Sequence, residues 1–178
     1  MIVYVEGVDG SGKTTLINNL AKKLIDLGYN VEVNAENFIP TRPNNGWRIE
    51  EDEMYSTLYG MLESDRIFFL DRGPISDIVY RVFDDYEPVT TYNKIRKWIK
   101  LHNNIMVIYC RTDKAKENMI KRGDDNPVSL ARHNEISKVY DLVMENIPHY
   151  IYDMSLDNIN IVVDIYIETI KTMCKMGE

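Results

Sequence analysis

One short glycine-rich segment contains residues that could bind phosphate. Gly7, Gly12, Lys13 and Thr14 fit the pattern G-x-x-x-x-G-K-[ST]. In this pattern backbone N–H groups surround phosphate oxygens, the lysine reaches the β- and γ-phosphates, and the hydroxyl ligates Mg²⁺. An apolar run precedes the segment and a helical pattern follows it, which is the context that a phosphate-binding loop requires. We predict such a loop here; the alternative is a glycine-rich turn with an exposed lysine.

A second candidate lies at the end of the apolar run IFFLD, where Asp71 is followed by Arg72. An arginine just beyond a strand points into the crevice at the carboxyl edge of an open α/β sheet, where ligands bind. Asp71 could hold magnesium-bound water while Arg72 binds a second phosphate. Two anionic reactants need cations that align them and neutralise the migrating charge, so this set favours phosphoryl transfer. The alternative is a surface ion pair.

The hydrophobic pattern predicts the elements that position these residues. Five β-rich runs lie near residues 2–6, 31–35, 67–71, 103–110 and 159–164. Segments whose apolar residues recur at helical spacing separate these runs. Ile167, Ile170 and Cys174 line a last helix. Alternation of this kind predicts an α/β fold, a five-stranded parallel sheet with helices on both faces. A chain of 178 residues predicts a single domain, 1–178.

Composition narrows the classes of function. The formal charge of −7 argues against a broad basic surface for nucleic acid. No apolar run approaches the roughly 18 residues of a membrane span, and no export-signal pattern opens the chain, so we expect no membrane partner and a cytoplasmic location. Cys110 and Cys174 form neither a disulfide framework nor a metal cluster. His102, His133 and His149 lack metal-ligand spacing, and we interpret them as structural.

Two motifs together resemble those of the thymidylate kinase family of nucleoside monophosphate kinases. They are EGVDGSGKTT at residues 6–15 and DRGPISDIVY at residues 71–80, and the likeness spans most of the chain. It implies a three-layer P-loop NTPase fold, ATP as donor, Mg²⁺ as cofactor and a deoxynucleotide acceptor. The compact form is also similar to nucleotide kinases of large bacteriophages. In the family's second motif, Asp-Arg-Tyr-x-x-Ser-x-x-Ala-Tyr-Gln, a tyrosine stands where this chain has Gly73.

The resemblance implies roles around the acceptor. Asp9 matches the acidic residue that meets the region of the 3′-hydroxyl, and Tyr80 matches the ring that disfavours a 2′-hydroxyl, so a deoxynucleotide preference is implied. Asp77 stands where a base-contacting polar residue is common, and Glu36 matches the glutamate of the family's Arg-Glu-Pro motif. The base-stacking phenylalanine has no clear counterpart. Three aromatic residues could stack on a base or simply belong to the core: Phe38, Tyr55 and Tyr59.

Family members with glycine at the position of Gly10 take their catalytic arginine from a lid. The stretch MIKRGDDN occupies the place of that lid, so a mobile lid is expected over about residues 121–134. Arg122 is the first candidate for the arginine, with Lys121 and Arg132 in reserve; the alternative is a solvated run of charges. Thymidylate kinases commonly form homodimers, so a homodimer is implied as well.

These inferences lead to one functional hypothesis and two alternatives. The hypothesis is the ATP- and Mg²⁺-dependent phosphorylation of a deoxynucleoside monophosphate, dTMP or a dUMP-like pyrimidine, to the diphosphate. A deoxynucleoside kinase is the first alternative, because its neutral 5′-hydroxyl acceptor would use Glu36 as a base, whereas a monophosphate oxygen needs none. A non-enzymatic nucleotide-binding module is the second.

The residues of the predicted site fall into four groups. ATP is expected at Gly7, Asp9, Gly10, Ser11, Gly12, Lys13, Thr14 and Thr15. The acceptor is expected at Asp9, Glu36, Phe38, Arg72, Ser76, Asp77 and Tyr80. Thr14 and Asp71 are expected to hold the metal. The residues expected to act in catalysis are Lys13, Arg72, Arg122 and Asp9.

Overall fold

The computed structural model of the protein describes residues 1–34, 51–81, 89–123 and 127–176. Within these ranges the chain forms five strands and seven helices. The strands are β1 (Ile2–Glu6), β2 (Val31–Asn34), β3 (Ile67–Asp71), β4 (Ile105–Arg111) and β5 (Tyr150–Asp153). The helices are α1 (Lys13–Asp26), α2 (Glu51–Glu63), α3 (Pro74–Arg81), α4 (Val89–Leu101), α5 (Ala115–Lys121), α6 (Pro127–Met144) and α7 (Ile159–Met176).

All strand pairs are parallel, and their order in the sheet is β2-β3-β1-β4-β5. The central strand β1 places Val5 beside Asp71 of β3 on one side and beside Ile108 of β4 on the other. The carboxyl ends of these three strands therefore meet at one edge, from which the glycine-rich segment and Arg72 both continue. The predicted five-stranded parallel sheet is confirmed.

Helices cover both faces of the sheet, as the apolar character of its central strands requires. Ile2 and Tyr4 face a core that α2, α3, α4 and α6 complete, whereas Val3 and Val5 face a second core that α1 and α7 complete. In α1, the spacing of three and four residues buries a single stripe against the sheet. Its buried residues include Leu16, Leu20 and Leu24. The three-layer α/β architecture is thereby confirmed.

Among the strands of the described ranges, the fifth is the one that the sequence pattern misplaced. INIVVD, residues 159–164, was predicted as a strand but forms the first turns of α7, and the strand is Tyr150–Asp153. A short run of β-branched residues fits either structure, and burial decides between them. Val163, Tyr166, Ile167 and Ile170 are buried at helical spacing against the sheet. The edge strand buries only one of its own side chains, Tyr152.

The region predicted as a lid, 121–134, includes the end of α5 and the first turns of α6. α5 ends at Lys121, with Arg122 and Gly123 following as a turn, and α6 begins at Pro127. The second half of the predicted segment, 127–134, is therefore helical, and residues 124–126 lie outside the described residues. Across the described ranges, no helix combines the length and the apolar character needed to cross a membrane.

Candidate active site

The glycine-rich segment connects β1 to α1 and surrounds the amino end of that helix. Lys13, the first residue of α1, is only 6% exposed, and its Nζ donates a hydrogen bond of 2.9 Å to the carbonyl oxygen of Val8. The hydroxyl of Ser11 is buried and, among the residues that the structure describes, has no hydrogen-bond partner. A buried hydroxyl without a partner is costly, and a ligand that accepts its proton would remove that cost. A phosphate oxygen is such a ligand.

Gly10 sits in a left-handed conformation, φ 81°, directly against the start of α5. A Cβ atom at this position would lie 2.1 Å from the carbonyl oxygen of Ala115. The side-chain amide of Asn118, also on α5, donates a hydrogen bond of 3.0 Å to the carbonyl oxygen of Gly10. The loop and α5 are thus in backbone contact, and no side chain fits at position 10 without displacing the helix.

Thr14 and Asp71 bring two hard oxygen donors together. The hydroxyl of Thr14 donates a hydrogen bond of 2.8 Å to Oδ2 of Asp71, so the start of α1 touches the end of β3. Mg²⁺ prefers a few protein oxygens completed by water and substrate phosphates over an all-protein cage. Among the described residues no cluster of three or more metal-ligating side chains occurs. The pair at the loop therefore suits a magnesium ion that is shared with phosphates.

Arg72 leaves the end of β3 and turns back over the phosphate-binding loop. Its backbone adopts φ 76°, a left-handed conformation that is rare for a residue with a side chain. One guanidinium nitrogen lies 3.3 Å from the carbonyl oxygen of Gly7, and the other forms an ion pair with Asp9. The nitrogen that faces Gly7, Nη1, also donates hydrogen bonds of 3.0 and 3.1 Å to the hydroxyls of Tyr80 and Tyr140. These contacts hold the cation at the mouth of the loop.

A buried carboxylate supports the turn that carries Arg72. Glu6, at the end of β1, is fully buried and accepts a hydrogen bond of 2.9 Å from the backbone N–H of Gly73. Its other oxygen accepts the hydroxyl proton of Ser76. Burial raises the pKa of Glu6, although these hydrogen bonds and the nearby Arg72 oppose the change. A Cβ on Gly73 would lie 2.6 Å from the ring of Tyr4, so this turn has no room for the tyrosine of the family motif.

The charges of the site act on one another. Burial lowers the pKa of Lys13 to about 8; Arg72 adds to this effect, whereas Asp71 and Asp9 oppose it. Burial alone would raise the pKa of Asp9, but the fields of Arg72 and Lys13 outweigh it and lower that pKa. Arg122, at the carboxyl end of α5, also contributes to this lowering. The cationic side chain predicted to come from the lid region is thus electrostatically linked to the loop.

The remaining predicted residues occupy different places. Ser76 is fully buried, with its hydroxyl between Glu6 and Tyr140 rather than open to the crevice. Asp77 lies in the first turn of α3. Thr15 and Arg132 are exposed. Glu36 and Phe38 lie outside the described residues.

Two of the aromatic residues for which stacking on a base and core packing were both open, Tyr55 and Tyr59, pack against α4. The rings of Tyr55 and Tyr59 have centroids 5.4 and 4.6 Å from that of Trp98, and Tyr59 also meets His102 at 5.9 Å. His102 lies three residues before β4, on the side where the strand begins, whereas the phosphate-binding loop lies where the strands end. The position of Tyr59 therefore favours the alternative, packing.

Sequence reasoning missed three residues of this site, Glu6 at the end of β1 and two residues of α6. Tyr140 is fully buried, yet its hydroxyl contacts Arg72 and lies 2.6 Å from that of Ser76. His133, interpreted as structural, donates from Nε2 to the backbone carbonyl of Asp9 over 3.1 Å. These contacts span 68 and 124 residues of chain, so no local pattern announces them. The only signal in the sequence was that His133 and Tyr140, which carry polar groups, lie at helical spacing from the apolar Ile136.

Comparisons with known proteins show what this chain resembles in sequence and in fold. No protein-family model matches the chain. A thymidylate kinase of Leptospira interrogans is 25% identical over 170 residues, which cover 81% of each protein. The solved YorR protein of Bacillus subtilis, in complex with phosphorylated GDP, has a TM-score of 0.67 at 20% identity and 96% coverage of both chains. A deoxyadenosine kinase from M. mycoides with bound dCTP has a TM-score of 0.51 at 20% identity, covering 97% of this chain and 100% of that one.

The two solved structures share the fold of this protein, and the loop at residues 7–15 stands at the carboxyl edge of its sheet. Together they define the class of fold, that of P-loop kinases. The thymidylate kinase relatives also confirm the resemblance to the thymidylate kinase family and indicate an enzyme, a nucleoside monophosphate kinase.

Proposed function

We propose that the protein transfers the γ-phosphoryl group of ATP to a deoxynucleoside monophosphate, dTMP or a dUMP-like pyrimidine, and so forms the diphosphate. One observation supports this more than any other: the guanidinium of Arg72 lies over the phosphate-binding loop, 3.3 Å from the carbonyl oxygen of Gly7. A second cation at this place suits a second phosphate. The site then brings two anions together, which is the main requirement of phosphoryl transfer between them.

The donor side of the site consists of the loop and the start of α1. Backbone N–H groups of residues 7–15 surround the β- and γ-phosphates, helped by the positive end of the helix. Lys13 leaves the carbonyl oxygen of Val8 and reaches the γ-phosphate, whose charge stabilises the ammonium form. The unpartnered hydroxyl of Ser11 donates to a phosphate oxygen. Binding of ATP thereby satisfies groups that are costly in the free protein.

Thr14 and Asp71 would hold Mg²⁺, through the hydroxyl of Thr14 and through water bound to the carboxylate of Asp71. When bound, the ion neutralises charge on the β- and γ-phosphates. The 2.8 Å hydrogen bond between the two side chains keeps their oxygens in one place before the ion arrives. Few protein ligands are needed because the phosphates supply the others.

The acceptor side consists of Arg72, Asp9 and Tyr80. Arg72 binds the acceptor phosphate, and Asp9, whose lowered pKa keeps it ionised at neutral pH, accepts a hydrogen bond from the 3′-hydroxyl of the sugar. The ring of Tyr80, whose centroid lies 5.3 Å from the guanidinium carbon of Arg72, closes the space that a 2′-hydroxyl would need. This arrangement favours a deoxynucleotide.

In the reaction an oxygen of the acceptor phosphate attacks the γ-phosphorus of ATP. A new P–O bond forms, the bond between the γ-phosphorus and its bridging oxygen breaks, and ADP leaves with the electron pair. The attacking oxygen is already anionic, so no general base is required. Arg122, from the predicted lid region, meets the charge of the migrating group. We also propose that the protein works as a homodimer, as thymidylate kinases commonly do.

One experiment separates this proposal from its alternatives. The protein is incubated with ATP and Mg²⁺ and with each deoxynucleoside and deoxynucleoside monophosphate in turn, and the products are identified by mass. We expect a diphosphate from a pyrimidine monophosphate, and none from a Lys13→Ala control. A monophosphate formed from a deoxynucleoside would instead favour the deoxynucleoside kinase with Glu36 as base. ADP without any phosphorylated product would favour a non-enzymatic nucleotide-binding module.

A further inference from the structure

A single helix holds both partners of the ion pair at the acceptor side. His133 and Tyr140 lie seven residues apart on α6, which is two helical turns, so they face the same way. Their side chains are 7% and 0% exposed. His133 donates to the backbone carbonyl of Asp9, and Tyr140 accepts from Arg72. Asp9 and Arg72 form the ion pair that joins these two contacts.

The hydroxyl of Tyr140 has an ordered set of partners. The carboxylate of Glu6 accepts from Ser76, so Ser76 in turn accepts from Tyr140 over 2.6 Å. The remaining lone pairs of the Tyr140 oxygen face the guanidinium of Arg72 at 3.1 Å. The oxygen is therefore fixed by a buried chain that begins at Glu6, and it presents a fixed acceptor to the arginine. Burial raises the pKa of Tyr140, so the hydroxyl keeps its proton at neutral pH.

We propose that His133 and Tyr140 are positioning residues of the acceptor site, which set the places of Asp9 and Arg72 without touching the substrates. The proposal rests on the proposed function, because it assigns Arg72 to the acceptor. Arg72 has an unusual backbone conformation and a flexible side chain, so its guanidinium needs external contacts to stay at one place. α6 carries both contacts: His133 lies within the segment predicted as a lid, 121–134, and Tyr140 lies beyond its end.

The test for Tyr140 is removal of its hydroxyl alone. Tyr140→Phe keeps the ring in the core and removes the acceptor facing Arg72. A hydrogen bond to a charged group contributes enough that its loss changes binding by about tenfold or more. We expect the KM for the acceptor to rise by about tenfold, while the KM for ATP stays within about twofold. The matched control is Tyr166→Phe, whose hydroxyl donates 2.8 Å to the carbonyl oxygen of Ile151 on the other face of the sheet.

The test for His133 compares a substitution that removes its hydrogen-bond donor with one that replaces the donor. His133→Leu removes the donor that faces Asp9, whereas His133→Gln carries an amide N–H that can replace it. We expect His133→Leu to raise the KM for the acceptor. In His133→Gln that KM should return most of the way to the value of the unmodified protein. An unchanged acceptor KM in both Tyr140→Phe and His133→Leu would overturn the proposal. So would an equal rise of both KM values, since a merely structural role affects the two substrates alike.

A second measurement keeps the proposal testable if the enzyme phosphorylates none of these acceptors. The melting temperatures of Tyr140→Phe, Arg72→Lys and the double variant are compared. Two groups in contact give non-additive changes, whereas independent groups give additive ones. Non-additive shifts would support the positioning contact even if the proposed function failed, and additive shifts would overturn it. The pair Tyr166→Phe and Arg72→Lys is the additive reference.

Discussion

Thr14 and Asp71 are joined by a hydrogen bond of 2.8 Å although 57 residues separate them in the chain. The bond connects the first turn of α1 to the last residue of β3, and these elements meet because β1 and β3 are neighbours in the sheet. Two oxygens that suit magnesium are thus placed beside the loop by the topology of the sheet. The proposed metal site depends on this contact.

Removal of either oxygen should weaken the response to magnesium. We expect Thr14→Ala and Asp71→Asn each to lower turnover by about 100-fold and to raise the Mg²⁺ concentration that gives half-maximal rate. The check is a magnesium titration at saturating ATP. The control is Thr169→Ala, since that hydroxyl donates only to the carbonyl oxygen of Ile165 within α7. Normal magnesium dependence in both active-site variants would refute the assignment.

Replacement of Arg72 should act on the acceptor. Arg72→Ala removes about 3 kcal/mol of transition-state stabilisation, so kcat/KM for the acceptor should fall by about 100-fold or more. ATP binding, measured by calorimetry, should change far less. Arg66→Ala serves as the comparison, because Arg66 is exposed and pairs with Glu32 away from the loop. Near-normal turnover in Arg72→Ala would remove the main support for the proposed function.

The cation that meets the migrating charge can be identified by three parallel variants. Arg122→Ala should lower kcat by about 100-fold with little change in substrate binding, because the interaction arises only in the transition state. Lys121→Ala and Arg132→Ala should keep kcat within about threefold. Single-turnover rates at saturating substrate provide the measurement. If one of the two reserves shows the large loss instead, the assignment passes to that residue.

The buried ammonium of Lys13 should make the free protein less stable at neutral pH. Its pKa is lowered from 10.5 to about 8, so the folded state releases this proton more readily than the unfolded state. Below pH 8 both states are protonated and the cost of the buried charge is present in full; between about pH 8 and 10.5 that cost disappears as the pH rises. Lys13→Met avoids the cost at every pH.

We therefore expect Lys13→Met to stabilise the free protein at pH 7 by up to about 3 kcal/mol, and the gain to shrink towards pH 10. Urea unfolding at several pH values measures the difference between the two proteins. The exposed Lys116→Met change should leave stability nearly unaltered at all of them. A gain from Lys13→Met that does not vary with pH would show that packing, and not charge, is responsible.

Much of the fold follows from local patterns. Ile67–Asp71 was predicted with the bounds that the structure shows, because a strand buried on both faces is a continuous apolar run between polar residues. Tyr150–Asp153 was missed for the opposite reason: at the edge of the sheet, Tyr150 and Ile151 stay exposed and no such run forms. The segment 159–164 is rich in β-branched residues, but packing of α7 against the sheet outweighs that propensity.

The residues of the site likewise fall into those that local sequence patterns reveal and those that only the folded chain reveals. The loop and the end of β3 are continuous segments, so their residue types and spacing carry the signal, and both lie where the sequence placed them. Glu6, His133 and Tyr140 contribute through contacts that only the folded chain creates. In the sequence, Glu6 looks like an ordinary residue at the end of a strand and Tyr140 like an ordinary core residue. Their roles become visible only when their partners are known.

The close approach of Gly10 to Ala115 restricts how this enzyme could evolve. An arginine introduced at position 10 would carry a Cβ 2.1 Å from a backbone oxygen and would need a backbone conformation that only glycine adopts easily. Such a protein must first shift the beginning of α5, and that shift would also disturb Arg122 at its other end. An arginine in this loop therefore requires a coordinated change of the loop and of α5 in addition to the substitution itself.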